Sequence, residues 1–300
     1  MTSFPKPPKS FAEQLQILKD RGLIVSDEPF ALNCLAHHNY YRLSAYRQPF
    51  ETPATPDIFL SGITFDDIWQ LYLFDQSLRA LLGEAMRSIE LSVRTQWSYL
   101  LAHRFGPQSY ETPLPFSDLG RHDLNLAKLD ESLRKSEEKS VAHYRSKHNM
   151  MRPPIWVVSE ILSFGELEHW SRNLTPSNQK KLALIYDLPA DVFVSFLKQS
   201  TYIRNMCAHH ARVWNRHLTF TLKLPKTTPA HLLPNLNVIT KAGLYNSFVL
   251  IDHVLRKIDS SSDWTIRLKQ LIQPLASRHI VSMGFPSNWR QLPMWLPGSI

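Results

Sequence analysis

The stretch FDDIWQLYLFDQSLRALLGEAMRSIELSVRTQWSYLLAHR, Phe65 to Arg104, decides the fold class. It contains no proline, and Ile68, Leu71, Leu78, Leu82, Ile89 and Val93 recur at spacings of three, four and seven. That period lays the apolar side chains along one face of an α-helix. Thr64 precedes it as an N-cap, and Asp66 and Asp67 fall in the first turn, where the helix dipole favours carboxylates. A helix this long predicts a bend or break, with Gly83 the weak spot. Arg79, Arg87, Arg94 and Arg104 recur along it. They are expected to solvate an outer face rather than to form a basic strip towards a ligand.

Working towards the N-terminus, the prolines at 5, 7 and 8 make residues 1–9 an extended leader. Ser10-Phe11-Ala12-Glu13 has the pattern of a capping box and predicts a short helix stopped by Gly22. A second helix is expected from Pro29 to about His38. In His37 to Arg47 aromatic residues alternate with Arg42 and Arg47. This run either packs its rings on a neighbouring helix or offers a nucleic-acid surface, and packing is the expectation. Residues 49–62 hold three prolines and a glycine and read as a loop.

Towards the C-terminus, Gly106-Pro107 ends the long element. Asp118 to about Tyr144 is strongly charged and reads as an exposed or protruding helix, within a helical insertion spanning about 118–152. Arg145 to Pro154 reads as a basic loop and a candidate nucleic-acid contact. Helices follow at about Ile155–Asn173, broken at Ser163-Phe164-Gly165, then at Asn178–Tyr186, Ala190–Asn205, Ile239–Ile258 and Asp263–Ile272. Leu218–Leu224 reads as a short strand or an extended segment, and the aromatic tail Met283–Trp295 is expected to dock by burying its rings. The prediction is a single all-α domain over residues 1–300, a helical bundle with additional helices and a protruding charged middle section.

Composition excludes several classes. An apolar content of 43% and a charged content of 20% describe a folded chain, not a disordered one. The formal charge of +8 favours polyanionic partners. Two cysteines, Cys34 and Cys207, make neither a disulfide framework nor a four-cysteine zinc site. Met1 to Ser10 has no apolar core of a secretory signal, and no apolar run is long enough to span a bilayer. A cytoplasmic protein that does not enter the membrane is expected.

The chemistry concentrates in Tyr202-Ile203-Arg204-Asn205-Met206-Cys207-Ala208-His209-His210-Ala211-Arg212-Val213-Trp214-Asn215-Arg216. Basic side chains hold a phosphate, and histidine moves protons near neutral pH, so the set suits phosphodiester cleavage without a metal. Asn205 and His209, four apart, share a helix face. Arg204 and His209 are five apart, so their directions differ by roughly 140° on an ideal helix. Either the helix is irregular here, or the long Arg204 side chain wraps round, or two copies of the motif face each other in a homodimer. His210 is an accessory contact, and Arg212 and Arg216 are either RNA contacts or partners of acidic side chains. Trp214 is expected in the core. No thiol nucleophile is expected at Cys207, which lacks a paired base. The adjacent pairs His37-His38 and His209-His210 point apart on a helix, so no metal or other cofactor is expected.

Several ordered stretches resemble the abortive-infection Abi-like family of the AbiD/AbiF type, placed in the HEPN superfamily. They are Tyr40 to Tyr46, Arg87 to Glu90 with Arg94-Thr95, Pro154-Ile155-Trp156 and Ser163 to Leu167. The series continues with Arg204-Asn205 to His209-His210, Trp214-Asn215-Arg216 and Met283-Gly284-Phe285-Pro286. The one departure is Ala45, where the family pattern suggests glycine. The resemblance implies an α-helical bundle whose R-N-x-x-x-H motif is a metal-independent ribonuclease site, commonly shared across a homodimer. Arg204 would then bind and polarise the scissile phosphate. Asn205 would hold the backbone or orient His209, and His209 would be the general acid or base for attack by the RNA 2′-hydroxyl. The implied product is a 2′,3′-cyclic phosphate, and the implied role is defence against phage. An antitoxin or a regulatory RNA is a further expected kind of partner. The competing expectation is a non-catalytic RNA-binding or scaffold protein with the same fold.

Overall fold

The computed structural model describes residues 7–240 and 243–296. The leader expected at 1–9 lies outside these residues up to position 6, as do residues 241 and 242 of the helix expected from Ile239. The chain forms two compact units, Met1–Leu78 and Arg79–Ile300.

In the first unit, helix α1 (Phe11–Asp20) opens on the expected capping box. The Ser10 hydroxyl accepts from the Glu13 amide, and the Glu13 carboxylate accepts from the Ser10 amide. Helix α2 (Glu28–His38) ends at Asn39, whose backbone turns into the left-handed half of φ space at 63°. The Asn39 side chain then caps α3 (Tyr40–Arg47) by accepting from the Tyr41 amide. One asparagine thus stops one helix and starts the next. A 3-10 turn (Gln48–Phe50) leads into a two-stranded antiparallel hairpin, β1 (Glu51–Thr52) and β2 (Thr55–Phe59). This hairpin replaces the loop expected there. Leu15, Leu18, Leu35, Leu43, Tyr46, Phe50 and Phe59 fill the core.

Helix α4 (Phe65–Phe105) is one continuous α-helix, so the expected break does not occur. Arg79 is buried and Arg94 half-buried, whereas Arg87 and Arg104 are exposed, so the expected solvated arginine face holds for only part of the row.

The second unit continues with α5 (Leu119–Lys135), α6 (Lys139–His148), α7 (Ile155–Ile161), α8 (Phe164–Arg172), α9 (Pro176–Ile185) and α10 (Ala190–Ala208). The last helices are α11 (Tyr245–Ile258), α12 (Trp264–Ile272) and α13 (Ser277–Val281). The charged middle section is two helices rather than one. Of these α5 buries His122, Asn125, Leu129 and Leu133 and packs on α8. Ser163 breaks α7 from α8 through a second complete capping box with Glu166. Of the two readings of 218–224, a short strand or an extended segment, the strand does not form. The segment runs along α10 instead, where the Gln199 side chain donates to the Phe220 carbonyl and the Lys223 amide donates to the Ser195 hydroxyl. The tail buries Phe285, Trp289 and Trp295 against one another, with Phe285 and Trp295 also against Tyr245. No helix among the described residues is long and apolar enough to cross a membrane.

Candidate active site

Helix α10 buries Val192, Phe193, Phe196, Leu197, Ile203 and Met206, a stripe that packs it among α8, α9 and α11. The stripe leaves Arg204, Asn205 and His209 towards the open side, and the helix ends inside the motif. Ala208 is the last helical residue and His209 the C-cap. The His210 amide donates to the Cys207 carbonyl at 3.2 Å, and the Ala211 amide to the Met206 carbonyl at 2.9 Å. His210 takes a left-handed φ of 54°. This is the Schellman reversal, which usually places glycine at that position. It turns the chain off the cylinder and leaves both His209 and His210 exposed.

Helix α10 is regular up to Ala208 and reverses at His209 and His210. The Arg204 Nη1 donates to the Asn205 Oδ1 at 3.2 Å. The Asn205 carbonyl in turn accepts the His209 amide at 2.9 Å. Asn205 therefore links the other two, to Arg204 by its side chain and to His209 by its main chain.

A fourth residue was missed by sequence reasoning. Glu90 on α4, 13% exposed, sits between two arginines. Its Oε1 accepts from Arg94 Nη2 at 2.8 Å, and its Oε2 lies 3.6 Å from Arg204 Nε. Arg94 also donates to the Leu162 carbonyl at 3.0 Å. The carboxylate restrains the inner edge of Arg204, while the Arg204 side chain as a whole stays 39% exposed. Arg94 is a brace and not part of an outer face. The signal was present as a Glu-to-Arg pair four apart on a helix, but nothing local joined it to Arg204. The α10 end comes close enough to α4 that a Cβ on Gly83 would stand 3.9 Å from the Cys207 Cβ.

From His209 to Arg216 the chain is not helical, so Arg212 and Arg216, four apart, do not share a helical face. Arg216 is exposed and its Nη2 donates to the Tyr202 hydroxyl at 3.4 Å. Hydrogen bonds from Thr219 and Arg216 hold the Tyr202 phenol below its usual range. Trp214 is fully buried, its indole N–H donating to the His279 carbonyl at 3.0 Å. Arg204, Asn205 and His209 thus lie at the end of α10, His210 and Arg212 follow in the chain beyond it, and Arg216 returns to Tyr202 on the helix. Arg42 and Arg47 lie on α3 in the first unit. Arg42 is exposed, whereas Arg47 is an internal brace, bonded to the Tyr40 hydroxyl, Asp57 and Glu51. The segment 145–154, expected as a basic loop, begins inside α6, which runs to His148, and its arginines are also braces. Arg145 donates to the Leu133 carbonyl, and Arg152 bonds Asp130 through two nitrogens at 2.8 Å.

Residues 33–215 match the family model described as Abi-like protein. The chain belongs to the Abi-like family. The matched span of this Abi-like chain runs from α2 to just past the α10 reversal, so it takes in Glu90 and the residues from Arg204 to Asn215, with Arg216 one position beyond it. No curated protein and no solved structure matches the chain. Among the described residues of the Abi-like chain no group of three or more His, Cys, Asp or Glu side chains is arranged to hold a metal ion.

Proposed function

We propose that this Abi-like protein is a metal-independent endoribonuclease of the HEPN type, acting in abortive infection against phage. The observation that carries the reading is the end of α10: an exposed His209 on a reversed helix end, with Asn205 bonded to the Arg204 side chain one turn before it. Arg204 holds a phosphate oxygen on this reading, with Glu90 at its Nε and Asn205 at its Nη1 supporting the guanidinium. His209 then takes the proton from the RNA 2′-hydroxyl or returns one to the leaving 5′-oxygen. The 2′-oxygen bonds to phosphorus as the P–O5′ bond breaks, which yields a 2′,3′-cyclic phosphate and a 5′-hydroxyl. The cations that follow in the chain, Arg212 and Arg216, favour the polyanion, with His210 an accessory contact. The reading includes a homodimer that brings two such helix ends into one groove, and restraint by an antitoxin or a regulatory RNA.

The alternative is an RNA-binding or scaffold protein with the same fold. Incubation of an RNA pool with EDTA, comparing wild type with His209→Ala and Arg204→Ala, separates the two. Products ending in cyclic phosphate, lost in both variants while RNA affinity persists in His209→Ala, are expected. Salt-dependent binding without turnover in the wild type favours the alternative. Equal cleavage by all three proteins removes these residues from the chemistry.

A further inference from the structure

A cleft of about 400 Å³ lies in the second unit between α4 and α7. Tyr99 and His103 line it from α4, and Trp156 and Glu160 line it from α7. Each pair is four apart, so each helix turns both side chains to the same side. The Tyr99 and His103 rings pack with centroids 4.1 Å apart, yet Tyr99 remains 62% exposed and Trp156 50%. Two large rings left open on the walls of one concavity mark a binding surface, since exposed aromatic area is normally buried. Glu160 is exposed at the rim and makes no hydrogen bond or ion pair among the described residues.

These features select the ligand. The carboxylate disfavours a phosphate, and an unpaired carboxylate is costly at the centre of a protein interface. Aromatic walls with one acceptor at the rim suit a flat group bearing N–H donors on its edge. Nucleobases are such groups, and single-stranded RNA presents them unstacked. Guanine alone offers two adjacent donors, N1–H and the 2-amino group, that match both oxygens of one carboxylate. We infer that the cleft is a guanine subsite for the RNA strand, with Tyr99 and Trp156 stacking the base and Glu160 reading its edge. This deepens the ribonuclease reading and rests on it for the strand that enters. Helix α4 connects the two places: Glu90, beneath Arg204, is nine positions before Tyr99, about 13 Å along the axis. Arg94 also bonds the carbonyl of Leu162, two residues beyond Glu160. Nine positions also turn the side chain through about 180°, so a strand with its scissile phosphate at Arg204 has to pass round α4 to enter the cleft.

The test is calorimetric titration of the full-length His209→Ala protein with guanosine, adenosine, cytidine and uridine 5′-monophosphates. Guanosine monophosphate is expected to bind at least tenfold tighter than the others. Trp156→Ala and Tyr99→Ala should each weaken it about tenfold or more, with unfolding midpoints unchanged because both side chains are exposed. Glu160→Gln should remove the preference for guanine while retaining stacking. Absence of saturable binding, or equal affinity in Trp156→Ala, overturns the subsite. So does a fall from dimer to monomer mass in Trp156→Ala without base-dependent binding, which would make the cleft an interface between copies. Cleavage by the wild type without guanosine monophosphate binding removes the subsite alone. Selective binding without cleavage removes the nuclease reading and leaves the subsite standing.

Discussion

Glu90 acquires its place beside Arg204 through tertiary packing, and its charge is what restrains that arginine. Glu90→Gln keeps the shape and removes the charge. Cleavage is expected to fall by about 10- to 100-fold, because a displaced guanidinium no longer meets the phosphate in the productive position. RNA affinity should hold or rise, since one negative charge is lost. Loss of the charged bonds to Arg94 should cost about 1–3 kcal/mol of stability. Single-turnover cleavage beside fluorescence polarisation reads the two effects separately, and unaltered cleavage would remove the positioning role. His210 makes a different residue-scale point. A histidine held at φ 54° pays a steric cost that glycine does not. His210→Gly is therefore expected to be about 1 kcal/mol more stable than His210→Ala in urea unfolding. Equal midpoints would mean that the left-handed turn is not populated. The contiguous part of the candidate site, Arg204 to His209, could be singled out from the sequence because its parts sit on one helix end. Glu90 was not, because its partner lies on another helix far along the chain.

Helix starts were the most legible elements, since a capping box is a local device. Ser10 with Glu13 and Ser163 with Glu166 both form as their spacing predicts. Elements shaped by distant packing were not legible. Gly83 does not break α4, because helix interiors tolerate a glycine where a neighbouring helix approaches closely. The 218–224 segment alternates like a strand but has no strand to pair with, and α10 supplies its partners instead. The tail crossing gives the clearest element-scale test. A Cβ at Gly243 would stand 2.5 Å from the Met283 carbonyl oxygen and 2.9 Å from the Gly284 Cα, both backbone atoms that cannot rotate away. The same crossing is tied by the Tyr245 amide to Met283 and by the Asn237 side chain to the Gly284 carbonyl. Gly243→Ala should cost about 1–3 kcal/mol by overpacking. Chemical denaturation would show it, and an unchanged midpoint would mean the tail does not dock there.

At the scale of the whole molecule, acid should act through buried histidines. Burial, with Arg278 beside it, pulls His279 down from 6.5 to about 4. Burial likewise lowers His253, against the opposing effect of its hydrogen bond to the Tyr186 carbonyl. Between about pH 6.5 and pH 4 the unfolded chain binds protons that the fold refuses, so stability present above pH 6.5 is lost as the pH falls. The His279 contribution is on the order of 1–3 kcal/mol. His279→Asn should flatten that slope in a series of denaturation curves, and an unaltered slope would refute the assignment. The sequence by itself determined the all-α class, most helix boundaries, the family and the Arg204–His209 motif, because periodicity, caps and a contiguous motif are encoded within a few residues. Only the tertiary structure decided that α4 stays whole, that Glu90 and Arg94 support Arg204, that Arg47 and Arg152 are braces, and that a helix reversal exposes His209. Each of those depends on which distant side chains meet, and that is set by packing rather than by local spacing.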